Sequence, residues 1–159
     1  QACDSVARFA GVKRRMQLRG EVRGIEVLDD FAHHPTAIAT TVAGLKAQMG
    51  KASSGEHAST GRILAVIEPR SNTMKLGVMA AKLAGSLADA DLVFAYAGGI
   101  DWDLESALLP LGARAQTHRD LGALVAAIAA KAMPGDRILV MSNGGFGGIH
   151  DRLLAALKA

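Results

Sequence analysis

The sequence predicts an α/β fold: a mostly parallel sheet flanked by helices on both faces and entered through a short antiparallel ribbon. Three observations carry that prediction. Strand-length apolar runs alternate with segments of helical period along the chain. The inner strand candidates are apolar throughout, as strands covered on both faces are. Aromatics are 4% of the residues against 50% apolar, so aliphatic packing must build the core. At 159 residues the chain suits one domain, 1–159, and neither half alone would hold a core.

Residues 18–28, LRGEVRGIEVL, alternate around a glycine and predict two short strands joined by a turn. DDFAHHPTA follows, with Pro35 suited to the first turn of a helix, where its missing N–H costs nothing. That helix puts Ile38, Val42, Leu45 and Met49 on one face. Residues 50–61, rich in Gly and Ser, read as a surface loop. RILAVIE (62–68) reads as a buried strand, and PRSNTMK as a polar turn. A helix over about 75–88 buries Leu76, Met79, Leu83 and Leu87. DLVFAYA (91–97) is the next strand, GGIDWDLES a loop, and 113–117 a short strand. Residues 120–132 form a helix with Leu121, Leu124, Val125 and Ile128 inward. PGDRILVMSN (134–143) supplies a turn and a third buried strand, and GGFGGIHDRLLAALKA a glycine-rich turn and a last helix.

The formal charge of +3 is small, and the cations are spread apart from Lys13, Arg14 and Arg15. Without stacking aromatics on a basic face, this argues against nucleic-acid binding. The single cysteine, Cys3, excludes an internal disulfide and fits a reducing compartment. No apolar run reaches membrane-spanning length and no signal peptide is visible, so a cytoplasmic protein is expected. The chain opens at Gln1 without an initiator Met and reads as a piece of a longer protein.

In open α/β sheets, ligands sit at the carboxyl ends of the strands. Three polar turns belong there: 29–36, 68–75 and 142–148. The first holds Asp29, Asp30, His33 and His34 just before a helix N-terminus, a place that favours anions and where a carboxylate can accept from a ribose diol. Asp and His are also metal ligands, but no further ligand lies at suitable spacing, so no metal site is assigned. Asp29 can instead cap the turn while one histidine packs under the sheet. In the second turn Arg70 offers a planar fork for a carboxylate or phosphate, and Lys75 a point charge. Ser71, Asn72 or Thr73 can cap the helix that follows. The third turn carries four glycines but matches neither GxGxxG nor a P-loop. His150 and Asp151, on the first turn of the last helix, read as surface residues. No nucleophile–base pair can be assembled, so the chain reads as a binding platform.

The stretch FAGVKRRMQLRGEVRGIEVLDDFAHHPTAI resembles the start of the C-terminal domain of Mur ligases, the enzymes that build the peptide of peptidoglycan. EPRSNTMKLG and MSNGGFGGIH are similar to the muropeptide-recycling branch, so the resemblance covers nearly the whole chain. It implies a Rossmann-like domain of a three-domain, ATP-dependent ligase. The N-terminal domain, which holds the UDP-sugar, and the central ATP-binding domain, which carries the P-loop and most Mg²⁺ contacts, are absent from this chain. The implied reaction joins UDP-N-acetylmuramate to the murein tripeptide L-alanyl-γ-D-glutamyl-meso-diaminopimelate through an acyl phosphate. By resemblance, Arg15 meets the ATP γ-phosphate and Asp30 the ribose, while His33 and His34 line the reacting region. Arg70, Ser71, Asn72 and Lys75 meet carboxylates of the tripeptide, and Asn143, Gly144 and Gly145 shape the far side of its pocket. The isolated domain is expected to be inactive. The alternatives are the equivalent domain of the L-alanine-adding branch and a stand-alone nucleotide-binding module. A small NAD-type oxidoreductase lacks its glycine fingerprint here.

Overall fold

The computed structural model describes residues 14–52, 61–70 and 77–159. Within them lie six strands: β1 (Gln17–Val22), β2 (Ile25–Asp30), β3 (Ile63–Ile67), β4 (Leu92–Tyr96), β5 (Ala115–His118) and β6 (Arg137–Met141). The helices are α1 (Pro35–Ala52), α2 (Gly77–Ser86), α3 (Leu104–Leu108), α4 (Leu121–Lys131) and α5 (Ile149–Lys158). All six strands form one sheet in the order β1-β2-β6-β3-β4-β5. β1 and β2 pair antiparallel and every other pair is parallel, as expected from the sequence.

Period-2 alternation sorts the strand residues onto two faces. Leu28, Ile63, Ala65, Ile67, Val93 and Leu139 pack with α1, α2 and α3. Val27, Leu64, Val66, Phe94, Ile138 and Val140 pack with α4 and α5. Each of these side chains is nearly or wholly shielded from water, which contributes roughly 1.5–3 kcal/mol for a full-sized aliphatic side chain.

At the amino end of the sheet, Arg62 and Asp136 lock β3 to β6. Arg62 donates from Nε and Nη2 to the two Asp136 oxygens at 3.1 and 2.7 Å. The Asp136 carboxylate also accepts the backbone N–H groups of Arg62 and Met133. Burial opposes ionisation there, but these four donors outweigh it and hold the carboxyl below its usual range.

Three boundaries differ from the sequence reading. The segment read as the loop GGIDWDLES ends in α3, which Asp103 caps by accepting from the Ser106 N–H at 3.0 Å. That helix is only five residues long, too short to show periodicity. A 3₁₀ segment, Leu109–Arg114, takes the start of the expected 113–117 strand, so β5 begins at Ala115. α1 runs to Ala52, into the stretch read as loop; 53–60 fall outside the described residues. The described part of α2 starts at Gly77, and Leu76 lies outside it.

Candidate functional site

Asp30 of β2, Met141 of β6 and Ile67 of β3 stand abreast in the ladder. Their chains therefore leave the sheet at one level, and the turns after Asp30, Met141 and Ile67 converge on one rim. The helix after β3 packs on one face and the helix after β6 on the other. The crevice between these two strand ends is thus the topological switch point of the sheet.

Adjacent residues of a strand point to opposite faces, and this separates the two aspartates of β2. Asp30 turns toward α1. Its Oδ2 accepts the Met16 N–H at 2.9 Å, and its Oδ1 accepts the Ala32 N–H at 2.8 Å and the Thr41 hydroxyl at 3.3 Å. Asp30, and not Asp29, is therefore the residue that braces the turn. A carboxylate offers about four acceptor positions, so one remains after these three bonds. Arg15, Asp30, Phe31, His33 and Thr41 line one cavity of about 330 Å³. Phe31 is 47% exposed. This set fits a nucleotide: a cation for phosphate, a spare carboxylate lone pair for a hydroxyl, and a part-exposed aromatic side chain, although the Arg14 guanidinium lies over the Phe31 ring at 5.3 Å.

His33 Nδ1 lies 2.9 Å from the Phe31 carbonyl oxygen. A carbonyl only accepts, so a bond here is donated by Nδ1 and leaves Nε2 facing away from it. The His33 and His34 rings lie 4.1 Å apart. His34 Nδ1 is buried without a hydrogen-bond partner among the described residues.

Asp29 turns to the opposite face and is 1% exposed. Arg14 Nε and Arg19 Nη1 approach its Oδ2 at 3.2 and 3.5 Å, and His150 Nε2 lies 3.2 Å from Oδ1. His150 is buried beside Asp29, against the surface position read from sequence; Asp151 is exposed as expected. Burial, helped by Arg19 and Arg14, lowers the His150 pKa, and Asp29 only partly offsets this. A second cavity of about 340 Å³ is lined by Arg14, Arg19, Asp29, Gly144, Gly145 and His150.

At the switch point, Glu68, Arg70, Tyr96, Gly98, Phe146 and Gly147 are among the residues lining a cavity of about 460 Å³. Glu68 accepts the Ser142 hydroxyl at 2.6 Å, and Ser142 Oγ accepts the Gly144 N–H at 3.0 Å. Arg70 Nη1 lies 3.6 Å from Glu68. A Cβ on Gly144 would come within 3.0 Å of that Nη1, so the glycine leaves room for the guanidinium.

The structure thus brings Arg15, Asp30 and His33 into one cavity, and Arg70 against Gly144 beside another. Gly144 and Gly145 also open onto the Asp29 cavity, and Asn143 is half-buried between. Ser71, Asn72 and Lys75 lie outside the described residues. Sequence reading missed Glu68, Ser142 and Arg14 as site residues, and also the Gly98–Ile100 turn at the end of β4. The strand-end rule applied to DLVFAYA would have found the last. Among the described residues, no group of three or more His, Cys, Asp or Glu is placed to hold a metal ion. No helix among them is long and apolar enough to cross a membrane.

Residues 14–144 match the family model described as Mur ligase, glutamate ligase domain. The chain is 45% identical over 157 residues to the UDP-N-acetylmuramate–L-alanyl-γ-D-glutamyl-meso-2,6-diaminoheptandioate ligase of Escherichia coli K12, covering 98% of this chain and 33% of that one. Among solved structures, a murein peptide ligase from Psychrobacter arcticus 273-4 superposes with a TM-score of 0.80 at 42% identity, over 98% of this chain and 32% of that one. A domain from a putative ligase of the same substrate description, from Haemophilus ducreyi 35000HP, gives 0.72 at 44% identity, over 90% of this chain and 99% of that one. The chain spans about a third of the length of the curated relatives it matches.

Proposed function

The chain belongs to the Mur ligase family, and from that premise we propose that it is the C-terminal, peptide-presenting domain of a three-domain cytoplasmic ligase that joins UDP-N-acetylmuramate to L-alanyl-γ-D-glutamyl-meso-diaminopimelate in peptidoglycan recycling. The observation that carries this reading is the single rim on which the turns after Asp30, Ile67 and Met141 meet. A nucleotide cavity and a cation-bearing cavity open from the same edge of the sheet. The higher identity to tripeptide ligases, 45% against 31% for an L-alanine ligase of Mycobacterium, favours the tripeptide.

In this reading Arg15 meets a phosphate, Asp30 gives its remaining lone pair to the ribose, and His33 and His34 border the reacting region. ATP, when bound, supplies the phosphoryl group that activates the muramate carboxylate. Arg70 holds a carboxylate of the tripeptide, with Asn143, Gly144 and Gly145 shaping the wall beside it. Ser71, Asn72 and Lys75 take part on the family resemblance alone. The domain's task is then orientation, bringing the free amine of the peptide to the activated carbon. Mg²⁺ finds no carboxylate cluster among the described residues, and we assign it to the central domain.

NMR shift mapping of the labelled chain, with the tripeptide and with ATP as separate titrants, tests the reading. Peptide-induced shifts at Arg70 and Gly144, with ATP-induced shifts at Arg15, Asp30 and Phe31, are expected. A nucleotide response without a peptide response at millimolar concentration favours a stand-alone nucleotide module and overturns it.

A further inference from the structure

Glu68 is a buried carboxylate, 6% exposed, that no step of the proposed function uses. An ionised carboxylate so placed is costly unless it is paired, and each of its oxygens faces a different turn. Oε2 accepts the Ser142 hydroxyl at 2.6 Å, the length of a charge-assisted bond. Ser142 is itself 1% exposed, and its Oγ accepts the Gly144 N–H at 3.0 Å. Oε1 lies 3.6 Å from Arg70 Nη1. The backbone supports the same geometry, since the Arg70 N–H donates to the Glu68 carbonyl at 2.9 Å across Pro69. Gly144 closes the circuit, because a Cβ there would lie 3.0 Å from Arg70 Nη1 and 3.9 Å from Glu68 Oε2.

We propose that Glu68 is a positioning residue: it holds the Arg70 guanidinium at the mouth of the switch-point cavity and, through Ser142, fixes the Gly144 turn beside it. The inference rests on the reading of Arg70 as the carboxylate-binding group. Arg70 is 58% exposed, and a pair this open adds little stability. Its effect is on geometry, because a guanidinium already held in place loses less freedom when a ligand arrives. Glu68 thus acts on the ligand only through Arg70 and Gly144.

The test begins without ligand, on the 159-residue chain labelled with ¹⁵N. Glu68→Gln keeps an acceptor for Ser142 and removes the charge facing Arg70. We expect the Arg70 side-chain Nε–H to exchange several-fold faster, while the amide spectrum stays folded. Glu68→Asp, which keeps the charge one methylene further back, reads the same loosening if the glutamine variant does not fold. Tripeptide affinity should fall about tenfold in Glu68→Gln, by analogy with the low end of the loss when a partner orienting a metal ligand is removed. In an Arg70→Ala background the same change should cost nothing further. An unaltered Arg70 signal in both variants overturns the proposal, as does an equal loss with and without Arg70. Wild-type protein that ignores the peptide counts against the function proposed above, and the Arg70 exchange rate still decides the role of Glu68.

Discussion

His150 Nε2 sits 3.2 Å from Asp29 Oδ1, at an angle that makes no well-formed hydrogen bond, with both residues at 5% exposure or less. Burial lowers the histidine's pKa from its ordinary value near 6.5, so the folded ring stays neutral where the unfolded ring takes up a proton. The unfolded state then binds more protons, and stability falls as pH drops. This contribution is complete above the ordinary histidine value and is lost progressively below it. The urea midpoint should therefore decline from about pH 7 to about pH 5, and His150→Gln should flatten that decline. An unchanged slope in the variant would place the pH sensitivity elsewhere.

The Arg62–Asp136 fork acts in a lower window. Asp136 is held below the usual carboxylate range, so its contribution is present above about pH 4 and lost as pH falls through the lowered value. Asp136→Ala leaves four donors without their acceptor. It should cost about 3 kcal/mol near neutral pH, measured by urea unfolding. A loss below about 1 kcal/mol would mean that solvent satisfies those donors.

Two glycines should respond oppositely to alanine. A Cβ at Gly61 would collide with the Gly135 carbonyl oxygen, a backbone atom that cannot swing aside. Gly61→Ala should therefore destabilise by about 2 kcal/mol or more. Gly44 lies within α1 with open space around it, and Gly44→Ala should stabilise by about 0.5–1 kcal/mol. Thermal midpoints of the two variants, measured side by side, check the pair.

Gly144→Ala separates binding from stability. The atom it meets is the far end of the flexible Arg70 side chain, which can swing away. Stability should stay within about 0.5 kcal/mol of wild type, while peptide affinity falls because Arg70 is displaced. Gly44→Ala, with open space around it on a helix that bears none of the peptide-binding residues, is the control that should leave affinity unchanged. Calorimetric titration with the tripeptide reads the difference.

Much of the fold was legible because its strands are short apolar runs and its helices carry stripes of regular spacing. ILAVI, LVFAY and RILVM each form an inner strand. Ile149, Leu153 and Leu157 form the buried stripe of α5. What the pattern withheld depends on strand order. Nothing local in PGDRILVMSN says that β6 inserts between β2 and β3, yet that insertion sets Ser142 between Arg14, which donates to its carbonyl at 2.7 Å, and Glu68. His150 lies one residue past Ile149, off the stripe centre, and is buried beside Asp29 of β2. Glu68 looked like the last residue of a strand, since the Ser142 hydroxyl that it accepts lies 74 residues away. The convergence of the turns followed from the strand-end rule. Which face each side chain took followed only from the register.

The most direct test uses the three-domain ligase in which we propose this chain is the C-terminal domain, given ATP, Mg²⁺, UDP-N-acetylmuramate and either the tripeptide or L-alanine, with products followed by mass. The account predicts a UDP-N-acetylmuramoyl-tripeptide product, and its near-complete loss in Arg70→Ala. Product from L-alanine alone, or a tripeptide product indifferent to Arg70, would contradict it.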